Sequence, residues 1–523
     1  MGVEQVLIDG AWRTAKAKGT FQAENPETGE RLPTQFPISD WSDCDAALSA
    51  ATEAAKQLRQ AAPEQIAAFL EAYARNIESA AAQIVEAAHA ETALPASPRL
   101  KDVELPRTVN QLQQAAVAAR EESWKHATLD LKLNIRSCFA PVGPVIVFGP
   151  NNFPFAFNGV SGGDFAAAIA AGNPIIAKAH PLHPETSRLL AVEALKALGE
   201  TGLSKATVQM IYQVSNEDGL RFVSDPRVGA IGFTGSRGVG LKLRQAAEMV
   251  GTPIYLEMSS INPVIFLPGA IDESGEQLAQ QLADSCLAGA GQFCTSPNLI
   301  LATQSAGTEA LIDHVARVFK ERPPQPLLSL SGRKQLAEGV TKLQEAGARL
   351  AVGGAPVDGS DYRYENTLLR ATGEQFLASP RALQREIFGN ATLIVTTADS
   401  AEMLAIVQEL EGNLTGSIYS AKSGSDDAVY EQIATALRPH VGRLLNDKMP
   451  TGVAVSPAMN HGGPFPATAH PGFTAVGIPS SMTRFAALHC YDGVREDRLP
   501  AVLRDKSTNP ATWRSIDGAW VRG

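Results

Sequence analysis

Val145-Ile146-Val147-Phe148, then a small-residue stretch over Ser161 to Ala171, then Pro174-Ile175-Ile176-Ala177-Lys178, is the stretch that decides the fold. Two short apolar runs separated by one helix-length segment make a βαβ unit, because both faces of the strands must be covered. The pattern repeats outward. A helix is expected over Glu185 to Leu198, strands at Val208 to Tyr212 and Val228 to Phe233, a helix near Val239 to Val250, and a closing strand at Ile254 to Glu257. This alternation predicts an α/β protein with a doubly wound parallel sheet, whose ligands bind where the strands end at their carboxyl side. Phe148, Lys178, Phe233 and Glu257 stand at such ends.

A second alternating stretch predicts another α/β domain, with strands at Leu299 to Leu301, Leu393 to Val395 and Ser417 to Tyr419 and a helix over Ala401 to Leu410. Upstream, residues 44–92 read as two packing helices divided at Pro63, since proline is tolerated in a first helical turn and not in mid-helix. From Met449 the chain is rich in proline and glycine, which predicts extended segments packed on another surface. The expected organisation is a dinucleotide-binding domain over 1–259 with an oligomerisation segment near 127–144, a catalytic domain over 260–446, and an extension over 447–523 that serves assembly and walls the substrate tunnel.

The 523 residues carry a formal charge of −10, which argues against a nucleic-acid or anionic-membrane partner. No run approaches the roughly 18 apolar residues of a membrane span. Five cysteines, at 44, 138, 286, 294 and 490, form no Cys-x-x-Cys, so neither a metal site nor a disulfide framework is expected. The N-terminus lacks a signal-peptide pattern, and a cytoplasmic location is the expectation.

Chemistry concentrates in a few places. Cys294 follows Gly289 and Gly291 and precedes Pro297, a loop setting that distinguishes it from Cys286, which sits in the amphipathic stretch Gln277 to Leu287 and reads as a core residue. Glu257 ends an apolar run and is followed by Ser259 and Ser260, a setting for a partly desolvated base. Asn152, in Phe148-Gly149-Pro150-Asn151-Asn152-Phe153-Pro154-Phe155, offers amide N–H groups to an oxyanion, although Asn and Pro also simply mark turns. Gly235-Ser236-Arg237-Gly238-Val239-Gly240 opens a helix after a strand and suits a phosphate, though it does not match G-x-G-x-x-G. A cysteine hydrolase would need a histidine base, and none of the nine histidines stands in a motif that supports one.

Taken in order, Gly149-Pro150-Asn151-Asn152-Phe153-Pro154, Ala177-Lys178-Ala179-His180, Phe233-Thr234-Gly235-Ser236, Leu256-Glu257-Met258-Ser259-Ser260, Gly291-Gln292-Phe293-Cys294-Thr295 and Glu386-Ile387-Phe388-Gly389 resemble the aldehyde dehydrogenase superfamily over nearly the whole chain. The resemblance implies NAD(P)-dependent oxidation of an aldehyde through a cysteine thiohemiacetal and thioester. It implies Cys294 as nucleophile, Glu257 as general base and Asn152 as oxyanion donor. Lys178, His180, Gly235, Ser236, Arg237, Glu386, Phe388, Phe148 and Pro150 are implied as the cofactor-binding set. Phe155 and Arg484 are the candidate substrate contacts, Arg484 for a substrate carboxylate. A homodimer or homotetramer is expected.

Two departures narrow the resemblance. Met258-Ser259-Ser260-Ile261-Asn262-Pro263 replaces the usual Leu-Gly-Gly after the base, and Pro181 stands where many NAD-preferring members carry a glutamate. Losing that acid removes repulsion of a 2′-phosphate, so NADP as well as NAD is expected, with Arg237 as the phosphate partner. Together with Ala179-His180-Pro181-Leu182-His183-Pro184 and His461-Gly462-Gly463-Pro464-Phe465-Pro466-Ala467-Thr468, they resemble a branch containing α-ketoglutaric semialdehyde dehydrogenases and an NADP-using fatty-aldehyde dehydrogenase. The first of these is the expected activity.

Overall fold

The computed structural model describes residues 2–523. Its first sheet has seven strands in the order Ile254–Glu257, Ala230–Thr234, Val145–Phe148, Ile175–Lys178, Val208–Ile211, Val6–Ile8, Ala11–Arg13. The first five are parallel, in one register that sets Phe148 beside Lys178 and Phe233, and Thr234 beside Glu257. The chain leaves Val145–Phe148 in one direction to Ile175–Lys178 and returns on its other side with Ala230–Thr234. The crevice of this doubly wound sheet therefore opens at the carboxyl ends of these strands. The hairpin Val6–Ile8 and Ala11–Arg13 joins antiparallel to Val208–Ile211. Its strands are too short for alternation to reveal them in the sequence.

The expected strands of this unit sit within two residues of their predicted ends, its three expected helices are Gly163–Ala170, Pro184–Thr201 and Arg237–Glu248, and a further helix runs Asn216–Val223. The region expected as two helices holds three, Trp41–Leu58, Pro63–Ser79 and Ala81–Thr92. Pro63 starts the second as expected. The further break falls at Ala80, which leaves helical geometry (φ −93°, ψ 8°) while still donating to Asn76. An alanine there gives no signal of a break in composition.

The second sheet runs Arg349–Val352, Thr367–Thr372, Ala391–Thr397, Leu299–Thr303, Val264–Phe266, Asn413–Tyr419, Val441–Asn446, parallel except at its first strand. A five-stranded sheet links Ala486–Asp492, Ile135–Pro141, Thr128–Asp130, Trp513–Ile516 and Ala519–Arg522. Between them the segment after Met449 folds back over the first unit. Met258 N–H donates to Ala467, Glu257 forms an isolated bridge with Thr468, and Phe473, Val476, Met482 and Phe485 join the first core. No described helix is long and apolar enough to cross a membrane.

Candidate active site

Glu257 is held by the last residue position of its strand and is 1 % exposed. Cys294 comes from the other lobe, on the loop between the helix Pro268–Leu287 and the strand Leu299–Thr303. Gly291 takes φ +68°, and a Cβ there would collide with the Gly389 carbonyl, so only glycine lets the loop lie against 386–389. Asn262, itself at φ +48°, donates from Nδ2 to the carbonyls of Cys294 and Ser296, each at 2.9 Å. Its Oδ1 accepts from Ser260 and Thr415 at 2.8 and 2.9 Å. Asn298 Oδ1 accepts the Ile387 N–H at 2.9 Å and so ties the Glu386–Phe388 turn to the thiol loop. Short-chain asparagines satisfy these buried backbone groups without taking space from the site.

Between thiol and acid stands His461. Its Nε2 lies 3.4 Å from Cys294 Sγ and 3.1 Å from Glu257 Oε1. The three ligating atoms fall within 4.8 Å of one another. His461 is 1 % exposed, and its backbone N–H donates to Thr474 Oγ1. No sequence motif marks His461 as a base, although it opens the string His461-Gly462-Gly463-Pro464. Cys294 and His461 stand 167 positions apart, and nothing in that spacing signals the contact, which arises from the fold-back after Met449. Burial first, then the Glu257 carboxylate, push the Cys294 thiol well above its ordinary pKa, with Arg107 opposing. Glu257 Oε2 is buried without a hydrogen-bond partner, which leaves an acceptor for a substrate or water proton. Asn152 Nδ2 donates to the Gln292 carbonyl at 2.8 Å, across the two lobes. An amide carries two N–H donors, so one remains for an oxyanion.

A cleft of about 1670 Å³ runs from these groups along the crevice. It is lined by every residue of the expected cofactor set, Phe148, Pro150, Lys178, His180, Gly235, Ser236, Arg237, Glu386 and Phe388, together with Asn152, Glu257 and Cys294. The donors fit a dinucleotide. Ser236 precedes the helix Arg237–Glu248 without capping it by its side chain, so the first helical N–H groups face the cleft free for a phosphate. Burial lowers Lys178 to about 8 and raises Glu386 to about 7, hydrogen bonds from Ser259 and the Ser260 N–H opposing the latter. Burial, then the neighbouring His183, lowers His180 well below its ordinary value, so it enters the cleft as a neutral ring stacked 5.3 Å from His183. Arg237 is already engaged. It pairs with Glu411 through one terminal nitrogen at 3.1 Å and lies 5.2 Å from the Phe465 ring, so a 2′-phosphate there would lie beside a carboxylate.

Both expected substrate contacts are corrected. Phe155 is 1 % exposed and belongs to the first core. Phe153 and Phe157, two positions to either side, are the ones whose rings contact residues of the site, Phe153 5.3 Å from Phe293 and Phe157 5.7 Å from His461. Phe155 makes no such ring contact, and its N–H donates to Glu104 Oε1 at 2.8 Å. Arg484 is 2 % exposed and does not reach the cleft. Its Nη2 lies 2.8 Å from Asp164 Oδ1, in ionic contact without the alignment of a hydrogen bond. Its guanidinium sits 4.9 and 4.8 Å from the rings of Phe473 and Phe485. It fastens the C-terminal segment to the first core, where a buried carboxylate consumes its charge.

Comparison with known proteins agrees with this geometry. A family model described as the aldehyde dehydrogenase family matches residues 12–459. Alpha-ketoglutaric semialdehyde dehydrogenase 2 of Azospirillum brasilense is 35 % identical over 513 residues, covering 96 % of each chain. Alpha-ketoglutaric semialdehyde dehydrogenase of Acinetobacter baylyi is 34 % identical over 94 % of each. The NAD+ complex of aldehyde dehydrogenase from Bacillus cereus shares the fold at a TM-score of 0.80 and 19 % identity, over 94 % of this chain and 96 % of that one. The chain belongs to the aldehyde dehydrogenase family. It is an NAD(P)-dependent oxidoreductase that acts on aldehydes.

Asp164→Asn strands the Arg484 charge in the core, so unfolding in urea is expected to show a loss of about 3–5 kcal/mol. The ratio of kcat/KM for carboxylated over neutral aldehydes should stay at its wild-type value. A changed ratio would restore Arg484 as a substrate contact. For the thiol, Glu257→Gln removes the negative charge that disfavours thiolate, which lowers its pKa. Alkylation of Cys294 by iodoacetamide near neutral pH should quicken about tenfold for each unit of that shift. Slower alkylation would mean that Glu257 draws the proton from sulfur.

Proposed function

We propose that the enzyme oxidises α-ketoglutaric semialdehyde to 2-oxoglutarate, with Cys294 as nucleophile, Glu257 as base and His461 as the proton carrier between them. The observation that carries the catalytic assignment is the meeting of Sγ, Nε2 and Oε1 at the inner end of the cofactor cleft. The substrate assignment is supported by the two semialdehyde dehydrogenases that align over more than nine-tenths of this chain.

In the first half-reaction the thiol passes its proton to His461 Nε2 and the thiolate adds to the aldehyde carbon. The carbonyl electron pair moves to oxygen, where the free Asn152 N–H and the Cys294 backbone N–H hold it. A bound NAD(P) supplies a hydride acceptor, which is how the adduct becomes a thioester. In the second half-reaction Glu257 Oε2 takes a proton from water. The new C–O bond forms, the C–S bond breaks, the departing thiolate takes back the proton held on His461, and Glu257 gives its proton to solvent, which restores the resting enzyme. Phe153, Phe157 and Phe293 keep bulk water from the thioester.

The Cys-His-Glu order of contacts also belongs to hydrolases, and a cofactor cleft abutting the same thiol favours oxidation over that reading. For assembly, the five-stranded sheet exposes Leu488, Trp513 and Trp520 at 62, 46 and 62 %, which supports a homodimer or homotetramer formed through it.

Cys294→Ala is expected to abolish aldehyde-dependent cofactor reduction while the cofactor dissociation constant stays close to wild type; turnover by that variant would refute the mechanism. On a panel of α-ketoglutaric semialdehyde, succinic semialdehyde, glutaraldehyde and long-chain alkanals, the first should give the highest kcat/KM, and a preference for alkanals would shift the assignment to fatty aldehydes. In side-by-side kinetics NADP should be used at least comparably with NAD. Strong exclusion of NADP would show that Glu411 keeps Arg237 and that Pro181 alone does not admit the 2′-phosphate.

A further inference from the structure

Four arginines bear on the choice of a substrate cation, and three are spent. Arg99 pairs with Glu104 and donates to the Asn152 carbonyl at 3.1 Å. Arg443 donates to the carbonyls of Pro450 and Gly452 at 3.0 and 3.3 Å. Arg484 is held by Asp164, away from the cleft.

Each of these also leaves a buried N–H unpaired, but Arg107 differs in that neither of its terminal nitrogens meets a carboxylate or a backbone carbonyl among the described residues. It stands on the helix Leu105–Glu121, and its guanidinium carbon lies 5.1 Å from the Phe157 ring centre and 5.8 Å from that of Phe153. Those rings pack in turn on His461 and on Phe293, the residue before Cys294. Arg107 Nε donates to Gln111 Oε1 at 3.2 Å, and Gln111 is itself anchored to the Ala156 carbonyl. Nη2 is closed off from solvent without a partner, and no carboxylate pairs with Arg107 among the described residues. The aromatic faces and the Gln111 amide offset part of the cost of burying this guanidinium, but the idle N–H keeps its own desolvation cost. The missing partner is an anion, and a carboxylate is the group whose geometry a guanidinium matches. The thiol also feels this charge: Arg107 opposes the upward push that burial and Glu257 exert on Cys294.

We propose that Arg107 binds the carboxylate of an ω-oxo acid whose aldehyde carbon is presented to Cys294 Sγ, with Phe153 and Phe157 flanking the chain between the two ends. The proposal rests on the substrate class given above and goes beyond it by assigning the residue that selects that class. The same residue acts against fatty aldehydes. An alkyl end placed beside the idle N–H leaves a buried charge unanswered, whereas a carboxylate satisfies it, so discrimination comes from both terms.

The test compares kcat and KM for α-ketoglutaric semialdehyde and for pentanal, an uncharged aldehyde of the same carbon number, in wild type, Arg107→Met, Arg107→Gln and Arg107→Lys. Thermal melting and cofactor dissociation constants check that each variant is folded, and the Gln variant keeps a polar group should Met disturb the core. Wild type is expected to favour the acid. In Arg107→Met and Arg107→Gln the acid-over-neutral ratio of kcat/KM should fall about 100-fold, carried mainly by KM, and Arg107→Lys should recover part of it. Glutarate, a dead-end dicarboxylate, should raise the melting temperature of wild type and not of Arg107→Gln. A folded variant that keeps the wild-type preference overturns Arg107 as the selector and leaves the substrate class standing. A wild type with no preference for the acid overturns the substrate class and the assignment with it. Equal loss on both aldehydes assigns Arg107 to the support of the pocket and overturns the proposal.

Discussion

A buried imidazole nitrogen shared between a thiol and a carboxylate is the contact on which the rest of this molecule depends. Cys294, Glu257 and His461 arrive on three separate pieces of chain: a loop of the second lobe, a strand end of the first, and the segment that folds back between them. None of the three can meet the others unless both sheets and the fold-back are in place. Their contact is therefore a report on the whole tertiary structure, and the supporting hydrogen bonds can be understood as the means of holding it. Asn152 joins the lobes through the Gln292 carbonyl, Asn262 fixes the carbonyl side of the thiol loop, and Asn298 locks the Glu386–Phe388 turn against it. A reacting group misplaced by an ångström loses much of its rate, so buried amides anchored on backbone groups are suited to this work.

The electrostatics follow from the same burial. Desolvation of Cys294 penalises thiolate, and the adjacent Glu257 adds to that penalty. The proposed mechanism therefore starts from a thiol, with His461 at contact distance as its proton acceptor. On the cofactor side, burial works with the opposite sign on the base: Lys178 is lowered and Glu386 raised. Both groups are thereby brought nearer to neutrality, which suits hydrogen bonding to a ribose better than a permanent full charge does. Arg237, in contrast, keeps a counter-charge in Glu411. A 2′-phosphate bound at Arg237 would therefore lie beside a carboxylate of the chain.

The arginines show why residue type alone misleads. Arg484, adjacent to Phe485 and near the C-terminal end of the substrate-side segment, has the composition of a carboxylate receptor and is consumed by Asp164. Arg107, in an unremarkable amphipathic helix, is left with an idle donor beside the aromatic rings that contact residues of the site. Phe155 and its neighbours make the same point for aromatics. All three phenylalanines in these five positions are buried in the first core, and only Phe153 and Phe157 also pack on rings beside the thiol.

The amino-acid sequence by itself determined the parallel sheet, the strand ends and the glycine-bearing turns. These depend on local periodicity and backbone freedom, which neighbouring residues express within a few positions of one another. It also carried the ordered set of motifs that places Cys294, Glu257 and the cleft residues in one family. The break at Ala80, the hairpin at Val6 to Arg13, the partnership of His461 and the contrast between Arg107 and Arg484 were decided only by the tertiary structure. Each of these turns on which distant group fills a given hydrogen bond or meets a given charge. Such pairing has no period and no spacing, because it exists only after the chain has closed on itself.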